Sequence, residues 1–406
     1  MPLWFNSSRL GRRTGVRVSH AAPGSVAIAS RSDLNRLPHW RMAFARQRKD
    51  HRYYEIVEDT LPEGFDYRYF VIRYAAGDVG AIQPAFILDQ DLVVGVPARI
   101  RAAVEGVRRL WPRFLKLQTL MVGCAAGEGH LDGGEPQQRI HARLLAGAIV
   151  DHARDLGVRL VLLKEFPARY RPALACFLAQ GFTRVPSLPM TRLNIDYASF
   201  EDYMRRALNS ATRTKLRRKF RAAAAGPPIM MSVVREVTPI IDDIYPLYLQ
   251  VYRRSKLHFE KLTKAFFCEL GRRMADKVLF FVWRQEGRIV AFTLCMIEGD
   301  SVFAEYIGLD YAVALRLHLY HYAVRDMTAW AMVQGYKWLR SSGLNYDPKL
   351  HLRHELDPID LYVRHTSWLA NLALKRILPL IEPTRYDPVL RKFANYHELR
   401  DKSGHR

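Results

Sequence analysis

The sequence has few cysteines and no long uninterrupted apolar run. Only four of its 406 residues are cysteine, and they lack the spacing of metal ligands: Cys124, Cys176, Cys268 and Cys295. We therefore expect buried thiols in a reducing compartment, not a disulfide framework or a cysteine-bound metal. No apolar run approaches the roughly 20 residues that cross a bilayer, which excludes a membrane-spanning helix.

Acidic residues are also scarce. The chain carries 62 Lys and Arg against 40 Asp and Glu, a formal net charge of +22. Such a charge favours polyanionic partners, namely nucleotide cofactors, RNA or an anionic membrane surface, and does not choose among them. The length of 406 residues exceeds the usual limit for one hydrophobic core, so we expect two domains.

The first forty residues are basic and rich in serine. Arg9, Arg12, Arg13 and Arg17 all precede the first acidic residue. This composition is similar to that of an organelle transit peptide, and a disordered basic tail is the alternative. Under either interpretation we predict that residues 1–40 lie outside the fold.

The clearest structural pattern lies between Lys277 and Gly343. Three apolar runs joined by glycine-containing turns predict an antiparallel meander: Val278–Trp283, Ile289–Ile297 and Val302–Leu309. A helical pattern over Ala312–Gln334 ends at Gly335, and Lys337–Ser342 reads as one more strand. This order is typical of small acyl-transfer enzymes, although an ordinary α+β domain can use the same devices.

The same order occurs in the first half of the chain. The predicted elements are strands over Tyr67–Tyr74, Ala81–Leu88, Leu117–Cys124 and Arg159–Glu165, a glycine-rich loop over Gly127–Gln138 and a helix over Gln138–Leu156. Two copies of one topology indicate an internal duplication. We predict an α/β fold of two mixed-sheet domains, residues 41–195 and 196–380, that meet near Pro189–Ser199, with a C-terminal extension over 381–406.

A basic helix opens the second half. The pattern predicts a helix over Phe200–Ala225 with Ser199 as its N-cap. Arg213, Arg217 and Arg221 lie at four-residue spacing, and we call these three residues the arginine face. Like charges at this spacing repel one another, which favours a nearby anion. A solvated surface face is an equally good interpretation.

Glu305 is the strongest candidate for a general base. It lies inside an apolar strand, where alternation places Phe303 and Ile307 on the same face. A carboxylate among apolar neighbours binds protons more readily and could accept one from an attacking amine. A half-exposed strand glutamate is the plainer alternative. Alternation also places Tyr306 on the opposite face, away from any pocket that Glu305 lines.

The loop after the last predicted strand offers two more candidates. The Tyr346 phenol could give a proton to a leaving group, and Lys349 could hold a phosphate or carboxylate. The same residues also make good turn chemistry. His351 and His354 lie nearby, but no third ligand is evident, so no metal site is expected.

These features resemble the tandem N-acetyltransferase-related proteins of the Fem and BioF2-like type. The resemblance is carried by Arg213-x-x-x-Arg217-Arg218-x-x-Arg221, by Tyr252–Phe267, by the meander over Gly287–Leu309 and by Tyr346-x-x-Lys349. It implies two tandem GNAT-like domains and an N-acyltransferase that moves an acetyl, fatty acyl or aminoacyl group to an amine. The residues expected to act in catalysis are Glu305, Tyr346 and Lys349.

The resemblance also indicates where an acyl donor would bind. Four glycines occupy the slot before the first-half helix: Gly127, Gly129, Gly133 and Gly134. Backbone N–H groups at such a turn receive the pyrophosphate of acetyl-CoA or another acyl-CoA, and the arginine face would add further contacts. The glycines do not form the family's compact Gln/Arg-x-x-Gly-x-Gly/Ala turn. This departure is typical of the Fem side, where the donor can be aminoacyl-tRNA.

The expected acceptor is an amine-bearing small molecule or a cell-envelope precursor. The expected location is the cytoplasm, with peripheral contact to an anionic inner-membrane surface as a further option. Two other function classes stay open. One is a GNAT-like protein without activity that binds nucleic acid or an anionic membrane, and the other is a scaffold with two decayed sites.

Overall fold

The structure is a computed structural model that describes residues 24–91, 98–110, 112, 116–255 and 259–401. Its first sheet contains β1 (Gly24–Ala29), β2 (Asp66–Tyr74), β3 (Val79–Asp91), β4 (Lys116–Val122), β5 (Leu160–Pro167), β6 (Thr183–Pro186) and β14 (Ile359–His365). Its second sheet contains β7 (Met190–Asn194), β8 (Ile229–Val234), β9 (Val278–Gln285), β10 (Arg288–Glu298), β11 (Ser301–Leu309), β12 (Trp338–Ser341) and β13 (Glu355–Asp357). The strand orders are β1-β2-β3-β4-β5-β14-β6 and β13-β7-β12-β11-β10-β9-β8.

The helices cover both faces of each sheet. They are α1 (Arg31–Leu34), α2 (Pro38–Met42), α3 (His51–Thr60), α4 (Ala98–Arg108), α5 (Glu135–Asp155), α6 (Arg171–Ala179), α7 (Phe200–Ala207), α8 (Ser210–Ala224), α9 (Ile241–Arg254), α10 (Lys264–Arg273), α11 (Leu319–Val333), α12 (Tyr346–His351) and α13 (Trp368–Ile377). Among the described residues, no helix is both long and apolar enough to span a membrane.

The layers stack in the order helix, sheet, helix, sheet, helix. α5 and α6 cover the outer face of the first sheet, and α7, α8 and α11 cover the outer face of the second. Between the sheets lies one shared apolar core, to which α2, α3, α9 and α10 contribute. Burial of each large apolar side chain there contributes about 1.5–3 kcal/mol, so this central layer holds the two halves together.

Each sheet contains the predicted repeated unit. β3 and β4 are antiparallel, and β4 runs parallel to β5 across the crossover helix α5. In the second sheet, β10 and β11 are antiparallel, and β11 runs parallel to β12 across α11. The predicted fold class, α/β with two tandem GNAT-like units of mixed sheet, is confirmed.

The two halves exchange strands, which the sequence did not predict. β7 at Met190–Asn194 pairs with β12 in the second sheet, and β14 at Ile359–His365 returns to pair with β5 in the first. The predicted boundary between residues 195 and 196 therefore does not coincide with the division between the sheets. A short apolar strand pairs equally well in either sheet, so its pattern does not reveal its partner.

The N-terminal prediction is wrong for residues 24–40. Gly24–Ala29 forms an edge strand whose register with β2 runs from Gly24 opposite Tyr74 to Ala29 opposite Tyr69. Val26 is buried in the core beneath α5, and Trp40 in α2 is buried in the central layer. The basic composition of the whole segment concealed this strand. Residues 1–23 lie outside the described residues.

Three local predictions in the second half also need correction. The helix predicted over Phe200–Ala225 is divided at Leu208, whose extended backbone ends α7, and Asn209 caps α8 by accepting from the Thr212 N–H. α11 begins at Leu319 and not at residue 312, because residues 311–318 form turns. The segment predicted as a loop around Tyr346 is the short helix α12.

Residues of the predicted C-terminal extension pack against the fold. Leu390, Phe393 and Leu399 form an apolar cluster with Tyr346 and Leu356. The Arg171 guanidinium also donates to the main-chain oxygens of Glu398 and Leu399. The described part of this segment, up to residue 401, therefore ties the first half to the β12–β13 region of the second.

Candidate active site

The parallel strands of each repeated unit stop pairing part of the way along, and we call these points the first splay and the second splay. The β4–β5 ladder ends at Val122 opposite Leu163, and the β11–β12 ladder ends at Ala304 opposite Ser341. On the β12 side, no ladder pair of the described residues involves 305–309. The second splay therefore leaves the edge of β11 that faced β12 open over residues 305–309, where β11 pairs, among the described strands, with β10 alone.

A β-bulge lies at the second splay. Leu294 is opposite Tyr306, whereas Cys295 is opposite Ala304, so Glu305 is the extra residue of β11. The bulge turns both Glu305 and Tyr306 toward the central layer. The prediction that they lie on opposite faces is therefore wrong, and so is the placement of Ile307 beside Glu305, since Ile307 packs in the outer core.

Glu305 belongs to a buried ion network, which we call the inner cluster: Arg48, Lys49, Glu128 and Glu305. Arg48 Nε donates to Glu305 Oε1 at 2.7 Å and its Nη2 donates to Glu128, while its Nη1 lies 3.8 Å from Glu298 Oε2 outside the cluster. Lys49 Nζ donates to Glu128 Oε2 at 2.6 Å and lies 3.8 Å from Glu305 Oε2. Every member is at most 6% exposed at its side chain. Two cations thus neutralise two carboxylates.

The electrostatics of the inner cluster indicate a fixed network. Burial alone would raise the pKa of Glu128, but Arg48 and Lys49 hold that pKa well below its usual range. Burial lowers the pKa of His130 to about 4, although the hydrogen bond to Glu128 opposes it. Glu305 is therefore not the isolated carboxylate that the sequence predicted, because Arg48, 257 positions away in the chain, and the adjacent Lys49 reach it.

The glycine-rich loop fills the first splay. Gly129 N donates to the main-chain oxygen of Glu165 at 3.2 Å, and the Gly127 oxygen accepts from Lys164 Nζ at 2.7 Å. A Cβ on Gly129 would lie 2.7 Å from the Phe166 ring, and one on Gly127 would lie within 2.2 Å of Lys49 Nζ. These two glycines allow close packing inside the protein. Of the four predicted cofactor glycines, Gly133 is exposed and Gly134 is the N-cap of α5, whereas Gly129 is buried and Gly127 half-buried.

A second polar group lies beside the open part of β11, and we call it the outer cluster: Lys164, Glu165, Glu260 and Tyr306. The Tyr306 hydroxyl donates to Glu260 Oε1 at 2.7 Å. Lys164 Nζ donates to Glu165 Oε2 at 2.9 Å and lies 4.7 Å from the centre of the Phe259 ring. The first half supplies Lys164 and Glu165 from β5, so both halves build this cluster.

The outer cluster contains a carboxyl group suited to proton transfer. Burial raises the pKa of Glu260, and nearby Lys164 and the Tyr306 hydrogen bond only partly oppose this effect. Burial also raises the pKa of Tyr306 well above its usual value, as does the charge of Glu260. Burial would lower the pKa of Lys164, but Glu165 and Glu260 raise it. At neutral pH the phenol is therefore protonated and the lysine is charged.

Tyr346 and Lys349 lie on the far side of the second splay. The Tyr346 hydroxyl donates to the Pro189 oxygen at 2.8 Å, and Lys349 Nζ donates to the main-chain oxygens of Ser342 at 2.6 Å and Leu344 at 3.0 Å. Burial lowers the pKa of Lys349 to about 7. No hydrogen bond or ion pair of the described residues joins either side chain to Glu305. The structure therefore does not bring the three predicted catalytic residues together.

His354 is buried behind Lys349. Its backbone N–H donates to the Lys349 oxygen, and neither ring nitrogen has a hydrogen-bond partner among the described residues. Burial and the charge of Lys349 lower the pKa of His354 to about 3. His351, in contrast, is exposed and contacts the main-chain oxygen of Asp347.

The arginine face does not point toward the second splay as a unit. Arg217 pairs with Glu201, and Arg213 donates to the Leu208 oxygen. A neighbouring residue of α8, Lys219, instead reaches α11, where its Nζ lies 2.8 Å from His321 Nε2. Arg221 is exposed.

Positive charge gathers at the start of α11, and we call this group the basic cluster: Lys215, Arg218, Lys219, His318 and His321. Burial lowers the pKa of His321 to about 4, and Lys219 and His318 lower it further. The pKa of Lys219 is lowered by burial, then by Lys215 and Arg218. No ion pair of the described residues includes Lys215, Arg218 or Lys219. Such a group repels itself and favours an anion beside it.

Sequence reasoning did not single out Glu260, Tyr306 or Lys164. Glu260 lies within Tyr252–Phe267, a stretch that carried part of the family resemblance, and this was the one available signal. Tyr306 was assigned to the wrong face, since a bulge leaves no mark in an alternating pattern. Lys164 comes from the other half of the chain.

Comparison with known proteins identifies one matching family and several solved structures with a similar fold. A family model, FemAB-like, described as peptidoglycan biosynthesis/recognition, matches residues 135–341, slightly more than half of the chain. No curated protein sequence gives a significant match.

Three solved structures illustrate the proteins whose fold is similar to that of this chain. L-PGS from Bacillus licheniformis is 13% identical, with a TM-score of 0.47, over 80% of this chain and 95% of that one. FemX is 10% identical, with a TM-score of 0.46, over 76% and 90%. A tandem GNAT protein from the clavulanic acid biosynthesis pathway is 11% identical, with a TM-score of 0.43, over 78% and 88%.

Proposed function

This chain belongs to the FemAB-like family of peptidoglycan biosynthesis and recognition proteins, and we propose that it transfers an acyl group to the amine of a cell-envelope precursor or a related small molecule. Family membership supports acyltransferase activity in general. The donor in this proposal is acetyl-CoA, another acyl-CoA or an aminoacyl-tRNA. The family does not favour the alternative of an inactive GNAT-like protein that binds nucleic acid or membrane.

The observation that carries the proposal is the hydrogen-bonded pair of Glu260 and Tyr306 on the open half of β11. Glu260 is a half-buried carboxyl group with a raised pKa, and Tyr306 fixes its orientation. A base whose pKa lies closer to neutral is better matched to an amine at physiological pH than an ordinary surface carboxylate. Lys164 adds a fixed positive charge beside this pair.

The proposed reaction needs one proton to move twice. The amine nitrogen attacks the acyl carbonyl carbon and forms the new C–N bond, while Glu260 takes the proton that the nitrogen loses. The C–S bond of a thioester or the C–O bond of an ester then breaks, and Glu260 returns the proton to the leaving sulfur or oxygen. The charge of Lys164 stabilises the oxyanion that develops in between, in the manner of a preorganised electrostatic site.

The sequence-predicted residues have supporting roles in this proposal. Glu305 anchors the bulge of β11 through Arg48 and so positions the adjacent Tyr306. Lys349 holds the loop after β12 through two main-chain oxygens, and Tyr346 fixes the same region to Pro189. We describe all three as positioning residues, because their polar atoms are engaged by the protein.

The donor's phosphates would contact the basic cluster. This cluster combines the cations Lys215, Arg218 and Lys219 with the N-terminal end of α11, whose dipole also favours an anion, and Lys219 Nζ lies 2.8 Å from His321 Nε2. The basic cluster matches the donor's phosphates by charge alone, and the phosphates of either CoA or tRNA would meet this requirement. The arginine face stays a proposal for the same contact, in which exposed Arg221 has the freest access.

A donor screen tests the proposal. The purified full-length chain is mixed with acetyl-CoA, a long-chain acyl-CoA or a set of aminoacyl-tRNAs, and thermal shift identifies the donor that stabilises it. Labelled donor and a panel of amines, including peptidoglycan precursors, then give the transfer rate. We expect one donor to shift the melting temperature and to label an amine. A donor that binds with no amine labelled would favour the inactive alternative.

A further inference from the structure

Large apolar side chains are exposed together on α13 and the turn that follows it. We call this surface the α13 patch. Its members and their exposed fractions are Trp368 at 74%, Leu369 at 61%, Leu372 at 49%, Ile377 at 48% and Leu380 at 62%. Single exposed apolar residues are ordinary on protein surfaces, but five within thirteen consecutive residues mark an interaction site.

The opposite side of α13 explains why the helix is held in place. Leu374 and Leu378 pack with Leu160 and Val363 of the first sheet. Asn371 accepts from the His365 N–H at 3.0 Å and its amide donates to the Gly181 oxygen at 3.0 Å. The helix is therefore docked by one face, and its apolar outer face is a stable feature of the fold, not the result of a detached segment.

The charged side chains of α13 itself have one sign. Lys375 and Arg376 lie on the exposed side of α13. The sequence contains no Asp or Glu between Asp360 and Glu382. Arg154, on the end of α5, donates to the Thr366 oxygen just before α13, and its charge is paired with that of Asp151.

We infer that the α13 patch docks the protein on an anionic lipid bilayer, with α13 lying in the plane of the interface. A helix with Trp and Leu on its outer face and Lys and Arg among them is the pattern of interfacial helices, in which the apolar side chains enter the acyl boundary and the cations meet the headgroups. Each basic residue near an anionic surface adds to this attraction, and the net charge of +22 acts in the same direction.

The composition favours a bilayer over a protein partner. Lysine is depleted from protein–protein interfaces, whereas here Lys375 is interleaved with the apolar side chains. A second copy of this chain would place the same cations against each other across a two-fold axis, which opposes dimerisation through the patch.

Vesicle co-sedimentation tests the inference without requiring acyl transfer, so it stands or falls separately from the proposed function. The full chain is incubated with vesicles of equimolar phosphatidylglycerol and phosphatidylcholine, or of phosphatidylcholine alone. We expect binding to the anionic vesicles and at least about a tenfold weaker binding to the neutral ones.

Two sets of variants locate the contact. Trp368→Ser with Leu369→Ser and Leu372→Ser should lower the apparent affinity for anionic vesicles at least about tenfold, and Lys375→Gln with Arg376→Gln should reduce its salt dependence. The matched control replaces exposed apolar residues elsewhere, Leu315→Ser with Val333→Ser, which are 77% and 82% exposed. We expect the control to bind as the unaltered chain does.

Two results would overturn the inference. The first is equal binding of the triple-serine variant and the unaltered chain, both folded by thermal melting. The second is a concentration-dependent dimer in light scattering that the triple-serine variant abolishes, with no vesicle binding by the unaltered chain, since the patch would then be an interface between two copies.

Discussion

The first and second splays have the same strand topology but different contents. In the first splay, the loop at Gly127–Gly134 enters the gap, and Gly129 hydrogen-bonds to Glu165 where a neighbouring strand would pair. In the second, the pairing with β12 ends at Ala304, and beyond the bulge β11 pairs with β10 alone of the described strands. The first gap is filled by a loop of the chain. The second lies beside the hydrogen-bonded pair of Glu260 and Tyr306.

The two buried sets of charges differ in the same way. The inner cluster matches Arg48 and Lys49 with two carboxylates and is almost inaccessible. The outer cluster has a half-buried carboxyl group of raised pKa, Glu260, and combines Lys164 and Glu165 of β5 with Tyr306 of β11. We propose that the two splays have different tasks: the first, filled by its own loop, supports the structure, and the second holds the residues for proton transfer.

The largest expected effect concerns the stability of the inner cluster. Glu128→Gln leaves Arg48 and Lys49 with one buried carboxylate between them, and an uncompensated buried charge typically costs about 3–5 kcal/mol. We expect a loss of that size in the free energy of unfolding by urea denaturation. Glu201→Gln, which breaks the exposed pair with Arg217, should cost under about 1 kcal/mol. Equal losses of unfolding free energy for both variants would mean that the inner cluster does not stabilise the fold.

A smaller effect separates packing glycines from surface glycines. Gly129→Ala places a Cβ 2.7 Å from the Phe166 ring and 2.8 Å from the Lys164 oxygen. Such overpacking typically costs about 1–3 kcal/mol. At Gly134, the first Cβ neighbour is the movable end of Gln137 at 3.0 Å, so Gly134→Ala should cost only the loss of a glycine N-cap, under about 1 kcal/mol. If Gly129→Ala were equally mild, the first splay would have room for a ligand.

Two buried lysines, Lys49 in the first half and Lys349 in the second, should differ in how they make the stability of the protein depend on pH. Lys49 has carboxylate partners, whereas Lys349 is held by main-chain oxygens and its pKa is lowered to about 7. Between that pKa and its unfolded value near 10.4, the unfolded chain binds the extra proton, so this group makes stability rise with pH by about 1.4 kcal/mol per unit. Below pH 7 the contribution is constant, because both states are protonated.

The variant Lys349→Met removes this dependence. Its stability relative to the unaltered chain should be highest at pH 7 and should fall by about 1.4 kcal/mol per pH unit up to pH 10. Denaturant titrations at several pH values measure the difference. A difference that is independent of pH would show that Lys349 keeps an ordinary proton affinity in the folded protein.

The smallest expected effect concerns the basic cluster. Replacing one cation that contacts a donor phosphate should reduce the slope of log affinity against log salt by about one. We expect this for Lys219→Gln, measured by salt titration of donor binding, and not for Arg217→Gln, whose partner is Glu201. An equal reduction of the slope for both variants would indicate that the donor phosphates contact the arginine face instead of the basic cluster.

The sequence predicted the repeated order of strands and crossover helices because apolar periodicity and glycine turns are local signals. It could not predict the network around Glu305, since Arg48 lies 257 positions away. It also misplaced Tyr306, because a single extra residue at a bulge reverses the faces of everything beyond it. Long-range pairing and register decide the site, and a single sequence records neither.

The central claim is that proton transfer occurs at Glu260 in the second splay. The most direct measurement is the pH dependence of kcat/KM for Glu260→Gln with the donor and amine identified by the screen, beside Glu128→Gln at a temperature where both are folded. We predict that Glu260→Gln lowers the rate about a hundredfold to ten-thousandfold and removes the acidic limb, where protonation of the base inactivates the unaltered chain. Near-full turnover of Glu260→Gln, with the acidic limb unchanged, would contradict the claim.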